Sequence, residues 1–226
     1  MSSAAAGAGT ASSAAPQPSQ RELIRGAAGN IEVVYEQTAA AAVGLAVICH
    51  PHPLFGGTLT NKVVHTLART LNACGYVSVR FNFRGIDASE GMHDAGRGET
   101  LDTLSVVAWA RQRWPDLPLL LAGFSFGSMV SLQAAPQAQP VRVISIAPAV
   151  TREEFGAVQR PEGPWLIVQG DADEVIDAQA VQQFAARFQP PPHLVMLAGV
   201  SHFFHGHLQA LGDVVRAELG VPPLEP

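Results

Sequence analysis

Residues 117–135 read LPLLLAGFSFGSMVSLQAA, where Gly123-Phe124-Ser125-Phe126-Gly127 follows a short apolar run and opens a helix-compatible run. The apolar run is typical of a strand buried on both faces. G-x-S-x-G occurs by chance in ordinary Gly/Ser turns, but between a strand and a helix it indicates a nucleophilic serine. Such a sharp turn strains the serine, exposes its hydroxyl and leaves no room for side chains two residues away. We therefore expect Ser125 to be a nucleophile, at a helix N-terminus that favours developing negative charge.

Strand-like and helix-like segments alternate on both sides of this motif. Two short strands joined by a Gly-rich turn come first, and buried strands then alternate with amphipathic helices. This order predicts a mostly parallel sheet of eight strands, covered by helices on both faces, with an antiparallel hairpin at its start. We expect Pro136 and Pro140 to end the helix of the motif. Besides the strand and helix of the motif, the pattern predicts strands at 21–25, 31–36, 43–49, 76–83, 141–146, 164–169 and 193–197. It predicts helices at 61–75, 99–114, 178–188 and 207–219.

Length and composition favour one folded domain with a short tail. The chain has 226 residues, 47% of them hydrophobic, which suits a single core over residues 21–226. Residues 1–20 are uncharged and rich in Ala, Ser, Gly, Pro and Gln up to Arg21. They lack the basic start and apolar stretch of a secretory signal, and the arginines of a transit peptide. We expect a disordered tail.

Charge and cysteine content exclude several classes of function. The net charge of −5 argues against non-specific nucleic-acid binding, and the longest apolar run, at 39–49, is too short to span a bilayer. Cys49 and Cys74 are the two cysteines, in neither a metal-binding nor a redox spacing. We therefore expect reduced thiols and a cytoplasmic protein, with no membrane or nucleic-acid partner.

Reactive side chains follow three of the predicted strands. Ligands of such sheets bind beyond the carboxyl ends of the strands. Ser125 follows the fifth strand, an acidic turn at 170–175 the seventh, and His202 the eighth. The order Ser, Asp, His is that of α/β-hydrolases, and a serine needs a histidine base that a carboxylate orients. His202 is therefore our candidate base, although a surface or structural histidine would also fit its position.

The acid is ambiguous from the residues alone. Asp171, Asp173, Glu174 and Asp177 crowd one turn, and such a turn is more commonly a helix cap or a solvated loop. One of these carboxylates can orient the histidine while another caps the next helix. Asp177 is well placed for the cap.

The loop at 50–57, HPHPLFGG, is expected to supply half of an oxyanion hole. One backbone N–H comes from the residue after the nucleophile, Phe126, and the second from this loop. Pro51 and Pro53 have no N–H, which leaves His52 or Leu54. For the groove above the serine we expect walls formed by Leu54, Phe55, Phe124, Phe126 and Phe203.

The same loop invites a metal hypothesis. His50 and His52 form an H-x-H pair, and His93 and Asp94 could join it in principle. Further ligands at suitable spacing are not evident, so rigid packing of the loop is the better interpretation. We expect neither a metal nor another cofactor.

The chain resembles the small bacterial α/β-hydrolases that lack a lid and are related to dienelactone hydrolase and prolyl oligopeptidase. The resemblance spans roughly residues 31–219 and is carried by HPHPLFGG at 50–57, NKVV at 61–64, RFNFRG at 80–85, GFSFG at 123–127, GDADEV at 170–175 and SHFF at 201–204. It implies the α/β-hydrolase fold, Ser125 as nucleophile, Asp173 as acid and His202 as base. Asp87 stands where many relatives have glycine.

The expected activity is hydrolysis of carboxylic esters of small molecules through an acyl-enzyme. A thioesterase or a small peptidase would use the same three residues, and a catalytically silent binding protein is the alternative from another class. The gap at 147–163 contains Pro148 and Pro161 and leaves room for one short helix rather than a lid. An open groove buries only a few methylenes, so acyl chains of roughly two to six carbons should be preferred.

Overall fold

The computed structural model describes residues 18–38, 40–152 and 158–222. Most of the expected tail, residues 1–17, lies outside the described residues, and Gln20 already belongs to the first strand. The strands are β1 Gln20–Gly26, β2 Gly29–Glu36, β3 Gly44–Cys49, β4 Tyr76–Phe81, β5 Leu119–Phe124, β6 Arg142–Ile146, β7 Trp165–Gly170 and β8 His193–Leu197. The helices are α1 Lys62–Ala73, α2 Arg97–Arg113, α3 Phe126–Ala138, α4 Ala178–Ala186 and α5 Leu208–Glu218, with a 3₁₀ turn at Pro53–Phe55.

All eight strands form one sheet in the order β1-β2-β4-β3-β5-β6-β7-β8. β1 pairs with β2, and β2 with β4, in antiparallel fashion, whereas the pairs from β4 to β8 are parallel. This arrangement confirms the predicted α/β-hydrolase fold and its antiparallel hairpin. Among the helices of the described ranges, none is both long and apolar enough to cross a membrane.

The central strands are buried on both faces because their side chains alternate between two cores. In β5, Leu119 and Leu121 belong to one core, whereas Leu120, Ala122 and Phe124 belong to the other. Helices α2, α3 and α4 contribute buried residues to the first core, and α1 and α5 contribute to the second. The carboxyl ends of the parallel strands therefore meet at one edge, where the loops gather.

Helix α1 has the cap, the buried face and the end that its sequence pattern predicts. Asn61 caps it, with its side-chain oxygen accepting from the amides of the second and third helical residues. The expected face of Val64, Leu67 and Leu71 is fully buried, and the chain leaves the helix at Gly75 with φ 90°.

Most element ends lie within two residues of those expected, and two of the differences have a local cause. Helix α3 continues through Pro136 to Ala138, because a proline so near the end of a helix disturbs only its final turn. β4 ends at Phe81 rather than at residue 83, since the amide of Phe83 donates to Nε2 of His50, 3.0 Å away, instead of extending the ladder. Part of the short helix expected between β6 and β7 falls on 153–157, outside the described residues.

Candidate active site

Ser125 lies at the turn between β5 and α3 in a conformation that few residues adopt. Its φ and ψ are 55° and −117°, and its amide donates to the carbonyl of Ile146 at 2.8 Å. The motif glycines are required by space: a Cβ on Gly123 would lie 2.2 Å from the carbonyl oxygen of Gly127, and one on Gly127 would lie 2.4 Å from that of His50. The turn brings α3 against the end of β3 and presents the serine hydroxyl at the sheet edge.

A chain of hydrogen bonds links Ser125 to His202 and Asp173. Nε2 of His202 lies 3.1 Å from the hydroxyl of Ser125, and its Nδ1 lies 2.8 Å from Oδ2 of Asp173. Ser125 is 8% exposed, His202 is 3% exposed and the carboxylate of Asp173 is buried. The structure thus brings together the serine, the base and the acid that the sequence singled out, at the ends of β5, β8 and β7.

Asp173 accepts hydrogen bonds on both carboxylate oxygens. Oδ1 accepts from the amides of Val175 and Ile176 at 2.8 and 2.7 Å, and Oδ2 also accepts from Nε2 of Gln169 at 2.9 Å. Burial raises the pKa of Asp173, but the hydrogen bonds from His202 and these amides outweigh it, so the pKa lies below its usual value. Gln169 was not foreseen, since a buried glutamine within an apolar strand carries no local signal of its partner.

The other acids of this turn have separate tasks. Asp171 accepts from the amide of Gly199 at 2.6 Å, and Glu174 accepts from the amide of His202 at 3.2 Å. Asp177 caps α4, as expected. The acidic turn therefore contacts the base loop at two backbone positions and its imidazole at a third, and Asp173 is the carboxylate that lies against the imidazole.

The loop after β3 folds tightly back on itself. The amide of Gly57 donates to the carbonyl of His52 at 3.0 Å, and a Cβ on Gly57 would lie 2.1 Å from the carbonyl oxygen of Pro51. The amide of Leu54 donates to Nδ1 of His52 at 3.2 Å. Of the two expected donors from this loop, Leu54 therefore has its N–H engaged within the turn, and His52 is the other candidate.

His50 has a structural task instead of a ligating one. Its Nε2 accepts from the amide of Phe83, and its Nδ1 lies 2.6 Å from the carbonyl oxygen of Pro51. Burial lowers the pKa of His50 to about 3, so the ring is neutral. Within the described part of the chain, no group of three or more His, Cys, Asp or Glu side chains could hold a metal ion.

A cavity of about 440 Å³ opens above Ser125. Phe55 and Phe203 line it as expected and are 77% and 41% exposed. Phe124 does not line it, which corrects the expectation. As the last residue of β5 it points into the core, with its ring centroid 5.0 Å from that of His202, which it supports from behind.

Two more expected wall residues lie elsewhere, and others take their place. Leu54 points to solvent outside the cavity, and the ring of Phe126 is fully buried. Arg152 brings positive charge to the wall, with its guanidinium carbon 5.6 Å from the ring centroid of Phe55. The wall residues that the sequence did not suggest are Pro51, Asn61, Ala149, Arg152, Val175 and Ile176.

Asp87, which departs from the pattern of the resembling family, lies in a backbone conformation that glycine adopts readily. Its φ is 47°, in the left-handed region that aspartate tolerates better than most residues. Its Oδ2 accepts from the side-chain amide of Asn82 at 2.9 Å. The loop thus combines a left-handed turn with a hydrogen bond from Asn82.

Comparison with known proteins places the chain among hydrolases. The family model described as X-Pro dipeptidyl-peptidase (S15 family) matches residues 34–154, more than half of the chain. An uncharacterized protein of Rickettsia prowazekii (strain Madrid E) is 31% identical over 189 residues, which cover 79% of each protein.

Two solved structures share both fold and sequence. An α/β serine hydrolase without a lid from Xanthomonas campestris superposes with a TM-score of 0.86 and 39% identity, covering 93% of this chain and 98% of that one. An α/β serine hydrolase homologue from Coxiella burnetii gives a TM-score of 0.85 and 41% identity, covering 88% and 97%.

Proposed function

The chain belongs to the family described by the X-Pro dipeptidyl-peptidase (S15) model and has the lidless α/β-hydrolase fold, and on this basis we propose that it is a serine hydrolase of carboxylic esters. The observation that carries the proposal is the hydrogen-bond chain from Ser125 through His202 to Asp173, which opens into the cavity above the serine. Its relatives of known structure support a hydrolase, and the ester specificity is our inference.

In the proposed reaction the hydroxyl of Ser125 attacks the ester carbonyl while Nε2 of His202 takes its proton. The carbonyl electron pair moves to oxygen, where the backbone amides of Phe126 and His52 stabilise the negative charge. Collapse expels the alcohol, which receives the proton from His202. Water then hydrolyses the acyl-serine by the same steps, and Asp173 keeps the proton of the imidazole on Nδ1 in the resting state.

The cavity supports small acyl groups as substrates. Its volume of about 440 Å³ and its partly exposed aromatic wall give a short acyl chain surface to contact. Each methylene adds about 0.8 kcal/mol of binding free energy only where it is buried. Because the wall residues Phe55 and Phe203 are partly exposed, a chain is buried only over its first few carbons, and we infer a preference for short acyl esters.

A peptidase is the second candidate, because the matching family model describes one. A dipeptidyl substrate carries a free amino group, which a peptidase would bind with a carboxylate. Among the described residues that line the cavity, none is Asp or Glu. The absence of such a carboxylate from the described lining favours the ester over the peptide.

A matched substrate panel tests the proposal. Wild-type protein and Ser125→Ala are assayed with 4-nitrophenyl butyrate, butyryl-CoA and Gly-Pro-4-nitroanilide, one for each acyl bond. We expect the highest kcat/KM for the ester and its loss in the variant. Faster cleavage of the anilide would assign a peptidase, and faster cleavage of butyryl-CoA a thioesterase. Equal ester turnover by the variant would refute the serine mechanism.

A further inference from the structure

His93 lies against both residues whose amides the proposed mechanism uses for the oxyanion. Its ring centroid is 4.9 Å from that of His52 and 5.7 Å from that of Phe126. The rings of His52 and Phe126 are in turn 4.7 Å apart, so the three rings form one cluster. His52 comes from the loop after β3, Phe126 from the start of α3, and His93 from the loop before α2. The third ring therefore joins the two halves of the oxyanion site.

A buried carboxylate holds His93 in this cluster. Glu99, in the first turn of α2, is 0% exposed, and its Oε1 lies 2.8 Å from Nδ1 of His93. This Nδ1 is buried and makes no hydrogen bond of acceptable geometry, so the observation is one of close packing between the ring and the carboxylate. Glu99 also accepts from the amides of Asp94 and Gly96 at 3.0 and 2.9 Å. With both oxygens engaged by backbone amides, the carboxylate has one position, and the imidazole packs beside it.

The other end of the same loop is fixed on α2 as well. Arg84 binds Asp102 through its backbone amide, Nε and Nη2, at 3.0, 3.0 and 2.8 Å. A Cβ on Gly98 would lie 2.1 Å from the guanidinium, so the arginine lies flat against the helix. Two acids of one helix, Asp102 and Glu99, thus hold both ends of the loop at 84–96.

We propose that His93 is a positioning residue for the oxyanion hole, held by Glu99 and acting through its contacts with His52 and Phe126. The proposal rests on the proposed ester hydrolysis. Oxyanion donors act only when both lie about 2.7–3.1 Å from the developing charge, and a misplacement of about 1 Å can cost about 100-fold in rate. The ring of His93 contacts both donor residues, which also contact each other, and so limits the movement of either one relative to the other.

His93→Ala tests this role through the difference between ground-state and transition-state binding. With 4-nitrophenyl butyrate as substrate, we expect kcat to fall by about 10- to 100-fold with little change in KM. A trifluoromethyl ketone, which adds the Ser125 hydroxyl across its carbonyl to form a tetrahedral adduct, should bind more weakly by a similar factor. The matching secondary alcohol, which forms no adduct, should keep its affinity. His93→Phe, which keeps a ring in the cluster but loses the contact with Glu99, should restore part of kcat.

His193→Ala is the matched control. Nδ1 of His193 lies 2.7 Å from Oε2 of Glu218, so this variant also removes a histidine paired with a glutamate, but at the exposed start of β8. Its kcat and ketone affinity should equal those of wild type. If His93→Ala does not fold, as judged by circular dichroism, His93→Gln takes its place, since glutamine fills part of the space but contributes no ring; the same losses are expected.

The proposal is overturned if the variant without a ring, His93→Ala or His93→Gln, keeps wild-type kcat. It is overturned too if this variant weakens binding of the alcohol as much as binding of the ketone. It is also overturned if His93→Phe is no better than the ringless variant. If wild type hydrolyses no ester, or Ser125→Ala is as active as wild type, the proposed function fails and takes this inference with it. If wild type hydrolyses the ester and Ser125→Ala does not, wild-type kcat and ketone affinity in the His93 variants refute the positioning role and leave the proposed function standing.

Discussion

The carboxylate of Asp173 accepts four hydrogen bonds, and an asparagine at this position cannot accept all of them. Oδ2 accepts from Nδ1 of His202 and from Gln169, and Oδ1 accepts from the amides of Val175 and Ile176. Asparagine has one oxygen and one NH₂ group, so in either orientation the NH₂ faces two donors. With the NH₂ toward His202, the imidazole proton moves to Nε2, which then cannot accept the proton of Ser125.

The size of the effect follows from this tautomer. The same replacement in the triad of a serine protease lowers kcat about 10⁴-fold, and each factor of ten corresponds to about 1.4 kcal/mol of activation free energy. For Asp173→Asn we expect kcat to fall by about 10³- to 10⁴-fold, which is about 4–5 kcal/mol. KM should change little, because the carboxylate lies behind the imidazole and lines no part of the cavity.

Asp171→Asn is the matched control, since it removes the same charge from the same turn. Asp171 is exposed and accepts from the amide of Gly199, without a contact to the imidazole of His202. With 4-nitrophenyl butyrate, the control variant should lose less than about tenfold in kcat, the cost of one exposed hydrogen bond. Circular dichroism and Tm check that both variants fold. A larger loss in Asp171→Asn than in Asp173→Asn, or a small loss in both, would refute the assignment of the acid.

Three further predictions follow from other parts of the site. Ser125→Ala and His202→Ala should each lower kcat by several orders of magnitude, and the double variant should lose little more, because the two residues act as a unit; additive losses would contradict this. Across a series of nitrophenyl esters from acetate to palmitate, kcat/KM should peak at short chains, without a jump at the solubility limit; a maximum at long chains would mean that the cavity of about 440 Å³ extends into a tunnel. Burial lowers the pKa of His50 from 6.5 to about 3. As the pH falls below 6.5, this histidine therefore binds a proton in the unfolded chain but not in the folded chain. The free energy of unfolding should therefore decrease by about 1.4 kcal/mol per pH unit from this group between pH 6.5 and 3. Urea unfolding of wild type and His50→Gln at several pH values measures that slope, and equal slopes would contradict the assignment.

The elements were predictable because their signals are local. The apolar run before Ser125, the cap at Asn61 and the stop at Gly75 each act within one or two turns of chain. Their alternation then predicts a mostly parallel sheet with helices on both faces. The glycines of the motif also indicated a crowded turn. In the structure, a Cβ added to Gly127 would collide with the backbone at the end of β3.

The contacts between loops were not predictable from local signals. Phe124 and Phe126 flank the serine symmetrically in sequence, yet the rings of both are fully buried, in the cores on opposite sides of the sheet. The engagement of the Leu54 amide depends on the side-chain rotamer of His52, which no sequence pattern specifies. Arg152 reaches the cavity only because β6 ends beside β5. These features depend on distances between segments that are far apart in the chain.

Labelling with a fluorophosphonate, followed by peptide mapping, tests the central claim that Ser125 is an activated nucleophile. The serine hydroxyl displaces fluoride from phosphorus, and the displaced fluoride leaves with the proton that His202 accepts. We predict a single adduct on the peptide that contains Ser125, loss of esterase activity in proportion to labelling, and no adduct with Ser125→Ala. An unlabelled wild-type protein, or a labelled protein that keeps its esterase activity, would contradict the mechanism.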